Sequence, residues 1–374
     1  MEIENLSAFL AECPMDDYSP LVSVIMPVFN TPSDPLHRAV NSVLAQSHEN
    51  LELIIVDDGS EDDCLEALRG IAAPDPRIRL IQTAHAGVSA ARNEAIEVAR
   101  GDWIAFMDAD DELEPSFLKD SLLLADACKA DFVIGSVQQL YQGQEKSPKF
   151  NFNRGCVIKD NVSLSQATRQ MLSPMKSSDF CGPNFRGRGP VAKLYKKSLM
   201  DCLYFNEGIS NGEDVLFNYE YMKRCSAVVI AEKVWYWYYQ NQGSAVHSTN
   251  IENWLTSLNG LMEACRRDSE YPEFYTRCQF LACEAVASLV RSSSFYEIKG
   301  PAIRLLRRSA DLGCLGPELG QGFDCPLVFR IMAFLCRRGW YGFAFYYWAV
   351  KTLVSDKVKH RDRLFDLGRG TDER

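Results

Sequence analysis

Residues 21–135 alternate between short apolar segments and longer segments with helical periodicity, and this alternation restricts the fold more than any other feature. Most of the apolar segments end at Pro, Gly or Asp, as buried strands do. The predicted strands are 21–26, 51–56, 78–81, 103–107 and 132–135, and the predicted helices between them are 34–46, 62–71, 87–99 and 117–128. This order predicts an α/β fold with a mostly parallel central sheet flanked by helices.

Polar clusters directly follow three of these strands. Asn30 follows the first strand, Asp57 and Asp58 follow the second, and the Asp-Ala-Asp-Asp run at 108–111 follows the fourth. In parallel α/β sheets, ligands bind in the crevice beyond the carboxyl ends of the strands. The sequence therefore predicts that three strand ends converge on one binding crevice.

The pattern changes after residue 137. Residues 138–189 are polar and rich in Gly, Pro and Ser, which predicts a long irregular excursion of functional importance. Regular structure is predicted to resume at 191–200, 212–225 and 234–239, with mostly helical residues after 250. These changes predict an N-terminal extension at 1–20, an α/β domain at 21–250 and a helical C-terminal region at 251–374.

The cysteines and the N-terminus indicate a cytoplasmic protein. Thirteen scattered cysteines without a Cys-x-x-Cys pair argue against a zinc site or a disulfide framework, and they fit buried thiols in a reducing compartment. Met1 begins an acidic segment instead of a basic, apolar leader, and no stretch reaches the roughly 18 apolar residues of a membrane span.

The net charge of −10 is unevenly distributed. Residues 326–374 contain ten Lys/Arg and five Asp/Glu, so this tail carries +5 and the rest of the chain −15. Because most of the chain is acidic, binding to negatively charged nucleic acid is disfavoured. Residues 327–354 are apolar and aromatic with interspersed cations, which is typical of a helix in a membrane interface. A helical subdomain that packs into a core and ends in a solvated basic segment is the alternative.

The acidic run at 108–111 suits a divalent cation. Carboxylate oxygens are preferred ligands of Mg²⁺ and Mn²⁺, and a diphosphate completes their coordination. The alternative is an acidic turn in which Asp111 and Glu112 favour the helix that follows. The position of the run directly after a buried strand favours the metal site.

Four motifs occur in order: VSVIMPVFN at 22–30, IIVDDGS at 54–60, GVSAARN at 87–93 and MDADD at 107–111. Together they resemble the nucleotide-binding half of family-two, GT-A-fold inverting glycosyltransferases of bacterial polysaccharide and cell-wall glycan assembly. Gly212-Glu213-Asp214 extends the resemblance. It implies a GT-A domain at 21–250, with a nucleotide-binding half at 21–112 and an acceptor half at 113–250.

The resemblance implies roles for individual residues. It implies that the nucleotide is surrounded by six residues: Pro27, Phe29, Asn30, Asp58, Arg92 and Asp108. Asp58 would accept from the uracil edge, Arg92 would lie at the base or ribose, and Asp108 would bind the ribose or support the metal. Asp110 is the implied direct ligand of Mn²⁺ or Mg²⁺. Asp57 has a simple alternative role as a turn carboxylate that caps the following helix.

The resemblance also implies the catalytic pair. An inverting transfer needs a base near the sugar C1 because the acceptor hydroxyl has a high pKa. Asp214 is the implied base, and Glu213 is assigned to binding or orienting the acceptor. The alternative for Asp214 is a cap of the helix 215–223.

The sequence leaves the roles of several loop residues undecided. His247 is either a further metal ligand or a loop histidine, and Gly243-Ser244 is predicted to lie in a loop that closes over the diphosphate. Gln240 stands where the family often has Arg. Arg186 and Arg188 either meet a phosphate or belong to an exposed loop.

The sequence as a whole predicts a metal-dependent, inverting transferase that moves a hexose-type sugar from a nucleotide sugar, with UDP as the nucleotide, to a glycan or a lipid-linked acceptor. Residues 326–374 would meet the inner face of the membrane, and association into a homo-oligomer stays open. A catalytically silent sugar-nucleotide-binding scaffold is the alternative. A nucleotidyl transferase would need a Gly-x-x-x-x-Gly-Lys phosphate loop, which the chain lacks.

Overall fold

The structure, a computed structural model, describes residues 2–13, 19–141, 144–145, 154–172, 189–240, 251–267, 295–312 and 338–352, with shorter pieces at 278, 281–283, 285–287, 331–332 and 334–336. The chain divides into two compact units. The first contains Met1–Glu207 and Gly212–Gln242, and the second contains Gly208–Asn211 and Gly243–Arg374.

Among its described residues, the first unit has one mixed sheet of eleven strands at its centre. The strands are β1 (Glu2–Ile3), β2 (Val22–Val28), β3 (Leu51–Asp57), β4 (Ile78–Gln82), β5 (Trp103–Phe106), β6 (Glu112–Leu113), β7 (Phe132–Tyr141), β8 (Gln144–Glu145), β9 (Gly155–Ile158), β10 (Lys193–Lys196) and β11 (Val228–Gln240). Their order is β1-β9-β11-β7-β10-β5-β2-β3-β4, with β6 beside β11 and β8 beside β7.

The sheet contains two parallel groups. Strands β5, β2, β3 and β4 run parallel to one another, and so do β7 and β11. Strand β10 pairs antiparallel with both β5 and β7 and joins the two groups. The predicted α/β class is confirmed, and the antiparallel β10 and β9 make the sheet more mixed than the local pattern indicated.

Seven helices flank the sheet in the described part of the first unit: α1 (Leu6–Glu12), α2 (Ser33–Leu44), α3 (Asp62–Ala72), α4 (Val88–Val98), α5 (Phe117–Cys128), α6 (Asn161–Leu172) and α7 (Glu213–Met222). Helix α2 shows why these segments are helical. Its residues Leu36, Ala39, Val40 and Val43 recur at helical spacing, and all four are buried.

Trp235 of β11 packs closely against the neighbouring strand β7. Its indole is fully buried, and a Cβ added to Gly135 would come 2.3 Å from Trp235 Cε3. Only glycine leaves room for the ring at this position. The β7–β11 pair is therefore tightly packed on this face.

One local expectation was wrong. Residues 138–189 were expected to be irregular, but β7 continues to Tyr141, and β9 and α6 lie within this range. The N-terminal extension contains regular structure, because β1 pairs with β9 and Leu6 of α1 is fully buried. The alternative in which Asp111 favours a directly following helix does not match the structure, since β6 follows Asp111 and α5 begins only at Phe117.

The second unit is helical where it is described. Its helices include α8 (Ile251–Arg267), α9 (Phe295–Asp311) and a helical stretch at 341–352. An exposed ion pair joins α9 to α8, with Arg308 Nη1 3.0 Å from Glu252 Oε1. Within the described residues, no helix is both long and apolar enough to cross a bilayer.

Candidate active site

The ends of β2 and β3 are locked together by two turns. Asn30 adopts a left-handed backbone with φ 48°. Its N–H donates to Ser60 Oγ at 2.9 Å, and its side-chain Oδ1 accepts from the Glu61 N–H at 2.7 Å. The Ser60 N–H in turn donates to Asp57 Oδ1 at 3.0 Å. Asp57 is therefore a turn carboxylate, while α3 begins without a side-chain cap.

Asp58 holds the loop that leads into α4. Its buried carboxylate accepts from the Ala86 N–H at 2.7 Å and from the Gly87 N–H at 2.9 Å. His85 Nδ1 lies 2.9 Å from Asp58 Oδ2. These contacts use three of the roughly four acceptor positions of a carboxylate, so about one stays available to a ligand. The negative charge also lies at the start of α4, where the helix dipole favours it.

An aromatic platform lies beside Asp58. The rings of Phe29 and His85 stack with centroids 4.2 Å apart, and both side chains are about half exposed, at 47% and 57%. An exposed pair of stacked rings next to a carboxylate suits a planar, hydrogen-bonding ligand. The sequence analysis identified Phe29 but missed His85, because a histidine 56 residues away shows no periodicity that would pair it with Phe29.

Arg92 connects two of the predicted acidic groups. The guanidinium, on α4, is buried, with Nη2 3.1 Å from Asp108 Oδ1 and Nη1 3.7 Å from Glu213 Oε1. It also lies 5.2 Å from the centroid of the Phe205 ring. The Nε of Arg92 is buried and makes no hydrogen bond within the described residues. Arg92 is thus a buried cation between the ends of β5 and α7, unlike an ordinary solvated helical arginine.

Asp111 ties the acidic run to β11. Its buried carboxylate accepts from Tyr236 Oη at 2.6 Å and from the Tyr239 N–H at 2.8 Å. Tyr236 Oη also accepts from the Asp108 N–H at 3.0 Å. Burial, and secondarily the charge of Asp108, raises the pKa of Asp111 to about 8. Asp111 therefore holds the acidic run in place through its hydrogen bonds to β11.

Asp108 and Asp110 remain partly exposed on this run. The side chain of Asp108 is 37% exposed, and the carbonyl oxygen of Asp110 accepts from Arg38 Nη2 at 2.7 Å. Their carboxylate oxygens are the hard ligands that Mg²⁺ or Mn²⁺ takes. The described residues contain no group of three or more His, Cys, Asp or Glu side chains that would hold an ion. Further ligands would have to come from a diphosphate or from other residues.

Glu213 and Asp214 open α7. The helix follows Gly212, whose φ of 95° requires glycine, and no side chain caps it, so Asp214 lies inside the first turn instead of at the cap position. Burial, followed by the charge of Asp214, raises the pKa of Glu213 to about 8, and Arg92 opposes this shift. The raised pKa of Glu213 thus follows from its buried position between Arg92 and Asp214.

The sequence analysis missed a buried network behind Asp214. Lys193 Nζ donates to the Gly189 carbonyl at 2.5 Å and to the Val191 carbonyl at 3.2 Å. Asn218 donates to the same Gly189 carbonyl at 3.1 Å and accepts from Tyr195 Oη at 2.6 Å. Burial lowers the pKa of Lys193 to about 7, and the charge of Asp214 opposes this effect. These side chains fix the strand entry next to Asp214.

The structure thus brings Arg92, Asp108 and Glu213 together, with Asp214 beside Glu213 on α7. Asn30 and Asp58 lie at neighbouring strand ends. Pro27 of β2 pairs with Val56 of β3, one residue before the end of this strand pairing. Several predicted residues lie outside the described ones: His247, Gly243, Ser244, Arg186 and Arg188.

Comparisons with known proteins concern the family and the fold of the chain. Residues 23–203 match the family model described as glycosyl transferase family 2. The chain is 28% identical over 241 residues to the glycosyltransferase GlyG of Streptococcus pneumoniae, covering 64% of this chain and 77% of that protein. It is 29% identical over 230 residues to an uncharacterized glycosyltransferase of Bacillus subtilis, EpsJ, covering 60% and 62%.

The chain is also similar to a longer relative and to a solved structure. It is 28% identical to the Streptococcus pneumoniae glycosyltransferase GlyA but spans only 33% of that protein's length. The crystal structure of TarS 1–349 from S. aureus, in complex with UDP-GlcNAc, has the same fold, with a TM-score of 0.62. At 17% identity, the match covers 90% of this chain and 92% of that chain. The expected GT-A-type fold is confirmed.

Proposed function

Because residues 23–203 of this chain match the family model described as glycosyl transferase family 2, we propose that the crevice around Arg92 transfers a sugar from a nucleotide donor to an acceptor hydroxyl. One observation carries this proposal. Arg92 is shared between Asp108, at the end of β5, and Glu213, at the start of α7. A single buried cation thereby couples the predicted donor side to the predicted acceptor side.

The donor is a UDP-linked hexose-type sugar. The exposed Phe29–His85 pair offers a stacking surface for a planar base, and Asp58 keeps about one acceptor position for a base N–H. Pro27 and Asn30 would border the same nucleoside. UDP is favoured because TarS, which has the same fold, is described in complex with UDP-GlcNAc.

A divalent cation, Mn²⁺ or Mg²⁺, would be held by Asp110, with Asp108 in support and His247 as a further ligand. When bound, it supplies positive charge that stabilises the developing charge of a diphosphate leaving group. Other residues of the chain hold the metal-binding carboxylates in position. Asp111 and Tyr236 fix the backbone of the acidic run from the protein side.

In the transfer step, we assign Asp214 as the general base. Its carboxylate takes the proton of the acceptor hydroxyl while the hydroxyl oxygen bonds to the sugar C1 and the bond from C1 to the diphosphate breaks. Attack from the opposite face inverts C1. Glu213 orients the acceptor, and Arg92 supplies positive charge beside Glu213.

The acceptor is a glycan or a lipid-linked glycan, in the assembly of a bacterial polysaccharide or cell-wall glycan. A lipid-linked acceptor would place the chain at the inner face of the cell membrane as a peripheral, cytoplasmic enzyme.

Donor screening tests this function. We expect one UDP-sugar, with Mn²⁺ or Mg²⁺, to raise the melting temperature and to be consumed slowly by hydrolysis. If a panel of nucleotide sugars neither stabilised the protein nor turned over, the enzyme proposal would be wrong. Stabilisation without turnover, in the presence of a glycan acceptor, would favour the silent scaffold.

The base assignment has its own test. We expect Asp214→Asn to lower the transfer rate by about 10²–10⁴-fold, because general-base catalysis contributes about that much, while donor binding is retained. Asp63→Asn, an exposed carboxylate in the first turn of α3, is the matched control. Full activity of Asp214→Asn would refute the base assignment and leave the glycosyltransferase proposal intact.

A further inference from the structure

The second unit exposes an unusual set of apolar side chains. Trp340, Phe343, Tyr346 and Val350 are 51%, 70%, 41% and 57% exposed, and they recur at helical spacing along and just before the 341–352 helix. Phe334, 46% exposed, extends the set, because its ring packs edge-on against Trp340 with centroids 6.4 Å apart. We call these five residues the aromatic face.

The same helix also buries apolar residues on its other side. Ala344, Phe345, Trp348 and Ala349 are all at most 4% exposed. A helix that packs on one side and faces water on the other carries polar residues on its outer side. This helix is instead apolar on both sides, so its outer side fits contact with a second apolar medium.

Cations border the aromatic face. Arg338 lies 5.5 Å from the Phe334 ring, and Lys299 lies 5.1 Å from the Tyr346 ring. Lys351 follows Val350 on the same helix and lies 4.2 Å from the ring of the buried Trp348. The sequence contains no Asp or Glu from residue 326 to residue 355. The surface therefore combines exposed aromatic groups with neighbouring cations, within a chain whose net charge is −10.

We propose that the aromatic face docks onto a leaflet of anionic lipids. Trp and Tyr favour the boundary between headgroups and acyl chains, and Lys and Arg beside them meet anionic headgroups. A second copy of the chain is a poorer occupant, because two copies joined through the same face bring their cations together. The proposal stands on the second unit and does not depend on the identity of the sugar donor.

Vesicle flotation of the full chain tests this surface. We expect recovery with vesicles containing phosphatidylglycerol and much less with phosphatidylcholine alone. The double variant Phe343→Ser, Val350→Ser should lower partitioning by about tenfold, because it removes two exposed apolar groups. Lys351→Glu should lower it several-fold.

The controls are Val162→Ser, which removes an apolar side chain 69% exposed on α6, and Lys159→Glu on the first unit. Both should float like the wild type, and all variants should retain its circular dichroism. Equal flotation of the Phe343→Ser, Val350→Ser variant and the wild type would overturn the proposal. So would equal recovery on both vesicle types, or a dimer in solution that this variant alone dissociates. Donor-induced stabilisation should be unchanged in every variant.

Discussion

Arg92 is the residue on which the candidate site depends most. Its guanidinium is almost fully buried, and the carboxylates it contacts lie 16 residues later on the β5 side and 121 residues later on α7. A buried charge that loses its partner is strongly destabilising, because neither water nor a counter-ion replaces that partner. The arginine therefore serves both folding and the proposed chemistry.

Arg92→Met should lower the free energy of unfolding by about 1.5–3 kcal/mol, the contribution of a hydrogen bond to a charged group, and abolish measurable transfer, since it removes the cation that Glu213 and Asp108 share. Denaturant unfolding and a transfer assay check both effects. Arg69→Met, an exposed arginine on α3, is the matched control and should change neither. A normally stable Arg92→Met protein would contradict the coupling that we assign to this residue.

The Phe29–His85 pair makes a separate prediction about the donor. His85→Ala should weaken binding of UDP by up to about tenfold, because a stacked aromatic pair contributes about 0.5–1.5 kcal/mol beyond its buried area. Isothermal titration calorimetry measures the change, and His37→Ala, an exposed histidine on α2, is the control. An unaltered Kd would remove His85 from the nucleotide site.

At the scale of elements, Glu52 ties three strands to the turn that precedes β5. Its buried carboxylate, on β3, accepts from Ser23 Oγ on β2 at 2.7 Å and from the Arg100 N–H and guanidinium at 2.7–3.0 Å. Arg79 of β4 lies 3.3 Å away. Burial alone would raise the pKa of Glu52, but these hydrogen bonds outweigh it and lower the pKa to about 2.

The lowered pKa predicts the pH dependence of Glu52→Gln. A carboxyl whose folded pKa lies below its ordinary value of 4.5 stabilises the fold above pH 4.5, and it loses this effect as the pH falls toward 2. The variant should be less stable than the wild type by about 3 kcal/mol at pH 7. That difference should shrink in urea unfolding below pH 4.5. A difference that stayed constant down to pH 3 would show that the contribution of Glu52 is not ionic, and Glu66→Gln, exposed on α3, is the control.

The elements also show how far the sequence could predict this fold. The strands and helices between Val22 and Cys128, apart from the two-residue β6, were predictable, because apolar periodicity records burial locally. The pairing of β10 between β5 and β7, and of β1 with β9, depends on contacts far apart in the chain, so no local pattern contains it. The same holds for the site: motifs identified Arg92 and Glu213 separately, but their contact needed the fold.

At the scale of the whole molecule, charge separates the two ends of the chain. Residues 326–374 carry +5 on a chain of net −10. If the aromatic face meets anionic lipid, ions must weaken that attraction, because the screening length is only about 10 Å at 0.1 M salt.

Flotation with phosphatidylglycerol vesicles should therefore fall several-fold as salt is raised from low to high concentration. The Lys351→Glu variant should depend on salt less steeply than the wild type. Recovery that does not change with salt would mean that charge has no part in the contact.

The hydrogen bonds between Asp111 and strand β11 have a consequence for synthesis. Asp111 accepts from Tyr239, 128 residues later, and Asp108 donates to Tyr236 at the same separation. While the chain emerges from the ribosome, the acidic run is made early but lacks these partners until β11 has followed it. The proposed donor crevice is therefore among the last parts of the first unit to reach its folded structure. A nascent chain interrupted before residue 236 would contain the acidic run without the hydrogen bonds from β11 that hold it in place.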